Sequence, residues 1–414
     1  MKQHISQNIH NPEQLEKLYR SDKTEFKKAF EVVFAENKQE EVLQFWNQRL
    51  NYQEEKTSLI AGPLFWLAFK LVILAGLIAN ISNLSWVKKE LFFTRNTSFI
   101  IIPFVSAYFL WKQKLNINKK IFTAVLFLIS ALYINLLPEA LNSSSINLAL
   151  IHLPLFLWCI LGFSYLGNDL YNNNKRIDFL KYNGDLLVIC VVLFLSTVLF
   201  TIITFGLFNL IGFKIEKFYM EHIAIWAIGA IPIFGTYLVD SNPQIINKVT
   251  PIIAKVFTPL AFVNLAVYLI TLIYTGKYPH NDRNLLLIYN ALLVGVLALI
   301  FFSVAENGKN NNRIYNSLLL LGLSVLTVIV NTIALYAISY RIFEFGLTPN
   351  RVAVLGGNVL IFINLLIVSY KLIKAVASKS ELSEVENSIA KYLPIYAVWT
   401  GAVAFLIPIL FSFK

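Results

Sequence analysis

The residues of this sequence that could do chemistry are charged and amide side chains set inside long apolar runs. Lys70 is the clearest case, because it lies in the middle of the first such run. A charge at the centre of a bilayer costs about 2.5–3.5 kcal/mol or more, so it needs a compensating interaction. Lys70 therefore predicts a charge that faces an internal cavity or a paired carboxylate; a structural ion pair, or a helix set off-centre, is the alternative.

A carboxylate and an amine flank one predicted loop. Asp240 closes one apolar run, and Lys255 lies about a turn into the next. Both lie toward the 240–250 loop, which favours a salt bridge across a helical hairpin, with a pair lining a cavity as the alternative. Glu221 opens the run that Asp240 closes, and a rise of 1.5 Å per residue separates these two carboxylates by ~28 Å. They cannot share a catalytic site.

Asparagines also occur within the apolar runs. Asn331 and Asn358 are candidate cavity residues, although amides in such positions usually form hydrogen bonds between helices. Asn358 directly follows two glycines, which predicts either a close approach between helices or a local break. Other asparagines in this class are Asn264, Asn290 and Asn364.

The most organised polar segment covers residues 340–351. Arg341 and Glu344 are spaced i,i+3, so they can pair on a helix. The next residues include a glycine that suits a helix C-terminus and a Thr-Pro pair that suits the start of another helix. With Arg351, the segment predicts either a rigid connector anchored in the interface or a site for a lipid headgroup or another anion.

This segment also carries a family resemblance. The motif R-I-x-E-F-G-L-T-P-N-R before an apolar span, and Phe92-Phe93-Thr94-Arg95-Asn96 before the second span, resemble bacterial membrane proteins grouped as domain-of-unknown-function family 4153. The resemblance covers most of the chain. It implies a multi-span location in a bacterial membrane, and it supplies no activity, substrate or catalytic residue.

The composition defines the elements that must hold these residues. The chain has 414 residues, of which 57% are hydrophobic and 14% charged, against ~45–50% and ~25% in soluble domains. A bilayer-crossing helix needs ~20 apolar residues, and the runs lack the alternation of a barrel strand. We therefore predict an all-α polytopic transmembrane helix bundle of about eleven spans, with ten or twelve as alternatives: 58–81, 97–112, 120–138, 146–167, 184–211, 218–239, 251–276, 285–304, 315–340, 351–375 and 391–412.

Two domains follow from this pattern, a small N-terminal helical module over 1–57 and the transmembrane domain over 58–414. Asn11 and Pro12 suit the start of a helix, as does Asp22 with Glu25 three residues on. Apolar residues at helical spacing predict three short amphipathic helices. They pack on one another or on the membrane face or, alternatively, dock a protein partner.

Charge distribution indicates the partners and the orientation. Residues 58–414 hold 26 basic and 14 acidic residues, so the basic excess lies in loops and helix ends, where it suits anionic lipid headgroups rather than nucleic acid. The predicted inner loops hold thirteen Lys and Arg against ten in the outer loops. We expect a bacterial inner membrane with the N-terminus in the cytoplasm.

Motifs for the common chemistries do not occur in the sequence. It has no phosphate-binding G-x-x-x-x-G-K-[ST], no dinucleotide G-x-G-x-x-G and no H-E-x-x-H zinc motif. We predict no cofactor and no metal ion, and we expect that the chain is not an enzyme.

Three functions remain open. Span number, short loops and Lys70 favour transport or a permease-like role. The first alternative is a membrane scaffold or sensor whose N-terminal helices dock a partner. The second is a lipid-acting enzyme at the interface, which would use His152 or the cluster of Arg341, Glu344 and Arg351.

Overall fold

The computed structural model describes residues 1–37, 39–51, 62–139, 143–210, 214–275, 283–307, 313–377 and 381–413. Every regular element in these ranges is a helix, which confirms the all-α prediction. The chain forms two compact units, Met1–Gly62 and Pro63–Lys414. The predicted domain boundary after residue 57 lies outside the described residues.

The N-terminal unit has four helices, one more than the three predicted, because the short α1 precedes them. They are α1 (Lys2–Gln7), α2 (Pro12–Ser21), α3 (Lys23–Glu36) and α4 (Glu41–Asn51). The Asn11 side chain accepts a hydrogen bond from the Gln14 backbone N–H at 3.2 Å, and Asp22 accepts one from the Glu25 N–H at 2.9 Å. Each bond satisfies a free amide in the first turn of a helix, so both predicted helix starts are present.

These helices bury their apolar faces against one another. Tyr19 and Trp46 pack edge to face at 5.6 Å between ring centroids, which ties α2 to α4. Phe45, next to Trp46 in α4, is 63% exposed. The buried core of the unit comprises Ile5, Leu15, Phe26, Phe30, Val33, Leu43 and Trp46.

The second unit consists of longer helices, and every predicted span falls on one of them. Nine helices in the described ranges are long and apolar enough to cross a bilayer, which makes the chain a multi-pass membrane protein. The two other predicted spans fall on helices that miss this criterion, α6 and α12. The helices are α5 (Pro63–Asn80), α6 (Lys89–Lys112), α7 (Ile117–Leu136), α8 (Ser144–Leu166), α9 (Asn173–Leu210), α10 (Glu216–Ser241), α11 (Pro243–Thr275), α12 (Arg283–Asn307), α13 (Arg313–Phe345), α14 (Pro349–Val376) and α15 (Ser383–Leu410).

Successive helices of this unit run in opposite directions between two faces. The Asn80 face is the side on which α5 ends. There the Asn83 amide donates to the Glu221 carbonyl at 2.7 Å, and the Ser143 hydroxyl donates to the Phe413 carbonyl at 2.7 Å. The Pro63 face is the side on which α5 begins, and there Lys371 pairs with Glu384 at 2.7 Å.

Glycines allow the close helix contacts of the interior. Apolar burial does not drive helices together in lipid, so close backbone approach matters more than in water. Gly356 of α14 lies against the indole of Trp399 on α15, and Gly229 of α10 lies against Ala75 of α5. Helix α14 is continuous through Gly356 and Gly357, so the glycine pair serves close approach and does not break the helix.

The glycine pair gives a test of this packing. A methyl group at Gly356 would overlap the Trp399 indole, whereas at Gly357 the nearest atom, Trp399 Nε1, would be 3.7 Å away. We expect Gly356→Ala to lower the free energy of unfolding by about 1–3 kcal/mol, the usual cost of overpacking. The matched control Gly357→Ala should change it by less than ~0.5 kcal/mol. Denaturant titration of the solubilised protein measures both, and equal effects would contradict the assigned contact.

Candidate functional site

A chain of asparagine side chains joins α12, α13 and α14 inside the bundle. The side-chain N–H of Asn331 donates to the backbone carbonyl of Asn358 at 3.1 Å. The side-chain N–H of Asn358 donates to Asn290 Oδ1 at 3.0 Å. Asn331 is fully buried and Asn358 almost so. Asn331 lies at least ~20 Å from either end of α13, which places it deep in the bilayer. The structure thus brings together two candidate residues, Asn331 and Asn358, and adds Asn290.

Two amide oxygens of this region are left without a donor. Among the described residues, the buried Oδ1 atoms of Asn331 and Asn364 have no hydrogen-bond partner. The amide group of Asn364 donates to the Tyr396 hydroxyl at 3.0 Å, so only its oxygen is unused. An unpaired buried acceptor costs about 1–3 kcal/mol. A bound solute with N–H or O–H groups would recover that energy.

Asp240 lies at the Pro63 face, near the end of α10. Its carboxylate forms an ion pair with Lys112 and accepts a hydrogen bond from the Tyr108 hydroxyl at 2.8 Å. Both partners belong to α6, one helical turn apart. The expected partner was Lys255, whose side chain lies outside the described residues. The sequence suggested Lys255 because it is close along the chain, but α6 packs against α10 in the fold.

Tyrosines form a layer beneath Asp240. The Tyr182 hydroxyl lies 2.7 Å from Thr236 Oγ1, one turn further into α10, and the Tyr165 ring stacks on Tyr182 with centroids 5.3 Å apart. The Asp240 carboxylate already binds the Lys112 amine and the Tyr108 hydroxyl. This arrangement joins α6, α8, α9 and α10, and it suits a structural lock better than a substrate site.

Lys70 lies on the exposed side of α5. Its side chain is exposed on the outside of α5, as are its neighbours Trp66 and Phe69. The buried stripe of α5 includes Ala68 and Val72, and at 100° per residue Lys70 falls on the opposite side of the helix. This position favours the alternative of a helix set off-centre over an internal cavity. Lys70 is ~10 Å along α5 from its start, so its amine can extend toward the Pro63 face.

The turn between α13 and α14 has the predicted helix end and helix start. Gly346 has φ +75°, and the Thr348 hydroxyl accepts from the Arg351 N–H at 3.4 Å. The Arg351 guanidinium donates to the carbonyls of Phe345 at 2.7 Å and Gly346 at 2.5 Å, which closes the end of α13.

Arg341 and Glu344 do not complete the expected anion cluster. Both residues are described, and among the described residues neither has an ion pair. Glu344 is exposed, and Arg351 is occupied by carbonyls at the helix end. The geometry favours the rigid connector.

Neither His152 nor the cluster of Arg341, Glu344 and Arg351 forms a pair of reactive side chains in the described residues. His152 Nδ1 contacts the Leu148 carbonyl of its own helix at 2.9 Å. In the ranges that the structure describes, no three His, Cys, Asp or Glu side chains lie together as a metal site.

Arg95 is a buried charged residue that the apolar pattern of the sequence does not single out. Its guanidinium is buried between α6 and α7 and donates to the carbonyls of Asn135 and Pro138, each at 3.0 Å. Apolarity placed the start of the second span at residue 97, so Arg95 was read as part of a loop. Helix α6 begins at Lys89, however, and Arg95 lies inside it. If the predicted helix had begun at Lys89, Arg95 would have lain inside a spanning helix. A charged residue in that position is a candidate functional residue.

Comparison with known proteins adds no assignment. No family model, curated protein or solved structure matches the chain. The resemblance to family 4153 stays a prediction.

The lock at Asp240 can be tested with tyrosine variants. Tyr108 is fully buried, and its hydroxyl donates to a carboxylate. We expect Tyr108→Phe to lower the free energy of unfolding by about 1.5–3 kcal/mol, as for other hydrogen bonds to charged groups. The control is Tyr165→Phe, because in the described part of the chain the Tyr165 hydroxyl has no hydrogen-bond partner. Equal losses in the two variants, measured by denaturant titration, would refute the lock.

Proposed function

We propose that this chain is a permease-like transporter of a bacterial inner membrane, and that Asn331 contacts the solute. The observation that carries the proposal is the unpaired Oδ1 of Asn331, buried deep in the bundle. Polar groups within the bilayer are expensive, and in transporters they line solute and ion pathways. Binding sites near the middle of the bilayer are the rule for secondary transporters.

The chemistry of the amide chain limits the solute. Asparagine carries no net charge, so it offers hydrogen bonds without a counter-ion. Asn331 and Asn358 lie on consecutive helices, and Asn290 lies on a third. A small movement of these helices would change the partners of all three. We infer a small polar solute that is uncharged or zwitterionic and has N–H or O–H donors.

The orientation follows from the charges at the two faces. Basic side chains cluster at the Pro63 face, and an excess of Lys and Arg favours the cytoplasmic side. This supports a cytoplasmic Pro63 face and, since α5 begins there, a cytoplasmic N-terminus. Basic residues at or near the Pro63 face include Lys112, Lys119, Lys175, Arg176, Lys371 and Lys374.

A binding screen tests the role of Asn331. The full chain in lipid nanodiscs is heated with amino acids, hexoses, polyols and nucleosides as separate probes. We expect one class to raise the melting temperature of the wild type, because a ligand that binds only the folded state stabilises it. Asn331→Leu should lose that shift. The hit should then exchange across proteoliposomes with the wild type and not with the variant.

The matched control is Asn264→Leu. It makes the same substitution in a spanning helix, but Asn264 is exposed on α11. It should keep both the thermal shift and the exchange. The proposal fails if no probe class shifts the wild type, or if Asn331→Leu responds as the wild type does.

A groove in the N-terminal unit favours a second candidate function, partner docking. The groove has a volume of about 590 Å³ and lies between α2 and α4, with the exposed Phe45 on its wall. Glu13, Glu16 and Glu41 also line it. Hydrogen bonds from Arg49 and then Arg20 lower the pKa of Glu16, so its carboxylate stays ionised. Arg20 and Arg49 line the groove too and pair with Glu16, so its acidic lining is largely balanced. We infer that the groove accepts a partner segment with one large apolar side chain.

Cross-linking of the full chain in its native membrane tests this docking. We expect one protein to cross-link to residues of the groove, and Phe45→Asp should reduce that cross-link at least tenfold. Val32→Asp is the control, since Val32 is 46% exposed in the same unit and does not line the groove. A cross-link that survives Phe45→Asp, or that Val32→Asp also removes, would exclude the groove as the docking site.

A further inference from the structure

A cavity with an arginine in its wall opens between α6, α7 and α8. Its volume is about 380 Å³, within the range of ~300–1,000 Å³ typical of ligand pockets. One end is lined by polar residues near the start of α6: Thr94, Arg95, Thr97 and Ser98. The remainder of the lining is apolar: Ile101, Ile102, Ile134, Leu150, Leu153 and Pro154.

Arg95 provides a buried positive charge at the polar end. It is 8% exposed, and it donates one N–H each to the carbonyls of Asn135 and Pro138. A guanidinium has five N–H groups, so donors remain after these two bonds. Among the described residues, no carboxylate forms an ion pair with Arg95. A buried cation that lacks a counter-ion is costly, so the site favours an anion.

The nearest acidic group does not cancel this charge. Glu139 is exposed and pairs with Lys88 at 2.6 Å. This hydrogen bond, together with the charge of Lys88, lowers the pKa of Glu139, and Arg95 adds a smaller effect. Lys88 therefore balances Glu139, and Arg95 leaves a positive charge at the cavity.

The cavity is polar near the Asn80 face and apolar deeper in the bundle, in the same order as the headgroup and acyl chains of a lipid in that leaflet. Arg95 lies six residues after the start of α6, about 9 Å along the helix from the Asn80 face. Ile102 lies ~10 Å deeper. The charged end is thus at the level of headgroups, and the apolar end is at the level of acyl chains. The hydroxyls of Thr94 and Thr97 donate to carbonyls of their own helix, which leaves Ser98 as the hydroxyl donor.

We propose that this cavity binds one anionic phospholipid from the leaflet at the Asn80 face. Its phosphate accepts hydrogen bonds from Arg95 and Ser98, and one acyl chain lies along Ile101, Ile102 and Leu153. The forked guanidinium suits the oxygens of a phosphate or a carboxylate. A phosphodiester is favoured because it is the stronger acid and stays ionised in a partly apolar cavity. This inference does not depend on the proposed transport.

Native mass spectrometry of the full chain tests the site. The delipidated protein in detergent is titrated separately with phosphatidylglycerol, phosphatidylcholine and oleate. We expect one phosphatidylglycerol to bind at least tenfold more tightly than any further copy, and more tightly than phosphatidylcholine. Arg95→Gln should remove this difference. Tighter binding of oleate than of phosphatidylglycerol would overturn the assignment in favour of a fatty acid.

Two further variants separate binding from folding. Arg351→Gln is the matched control, because Arg351 also donates to two carbonyls at a helix end on the same face but does not line the cavity. It should keep the tight phosphatidylglycerol. Ser98→Phe fills the cavity and leaves Arg95 and its two carbonyls in place, so it should lose the lipid even if Arg95→Gln unfolds. Tight binding that persists in Ser98→Phe, or a wild type with no preferred first lipid, would overturn the proposal.

Discussion

The whole membrane unit depends on one constraint, that a polar group inside the bilayer must find its partner within the chain. Water is absent there, and an unpaired group costs several kcal/mol. Cross-helix bonds meet this demand at several depths, such as Thr258 with Ser303 at 2.7 Å and Ser369 with Ser324 at 3.0 Å. Apolar surface packs equally well against lipid, so these bonds determine which helices are neighbours and in what register. Asn331 departs from this pattern. Its side-chain N–H has a hydrogen-bond partner, whereas its Oδ1 has none among the described residues.

The same constraint explains where buried or half-buried arginines lie. The last carbonyls of a helix have no partner in the helix, and they carry partial negative charge. Arg95 binds carbonyls in the last turn of α7 and just after it, and Arg351 binds those at the end of α13. On the opposite face, Arg176 bridges the Leu170 carbonyl, after the end of α8, and the Ala390 carbonyl, which lacks a helical donor because residue 394 is a proline. Arg351 completes a turn between two helices and is half-buried, whereas Arg95 is buried and lies in the wall of a cavity.

Local patterns in the sequence were enough to predict the helices but not their neighbours. The turn at residues 346–351 and the helix start at Asn11 could be predicted, because each depends on residues within one helical turn. The partner of Asp240 could not, because Lys112 is 128 residues away and a neighbour along the chain looked equally suitable. The sequence also did not allow us to predict which side of α5 carries Lys70. The packed stripe of α5 is defined by small residues, and an apolar run gives little indication of which side faces the bundle.

Helix α6 shows why apolarity alone misjudges such a chain. It is less apolar than the nine helices that meet the spanning criterion, yet its 24 residues extend ~36 Å, enough to cross the hydrocarbon core. It packs against α5, α7, α8 and α10, so little of it needs to face lipid. Its charges lie toward its two ends, where Lys112 meets Asp240 and Arg95 meets the carbonyls after α7. A helix surrounded by protein can carry charges at lower cost than a lipid-facing helix, so the low apolarity of α6 fits an interior position.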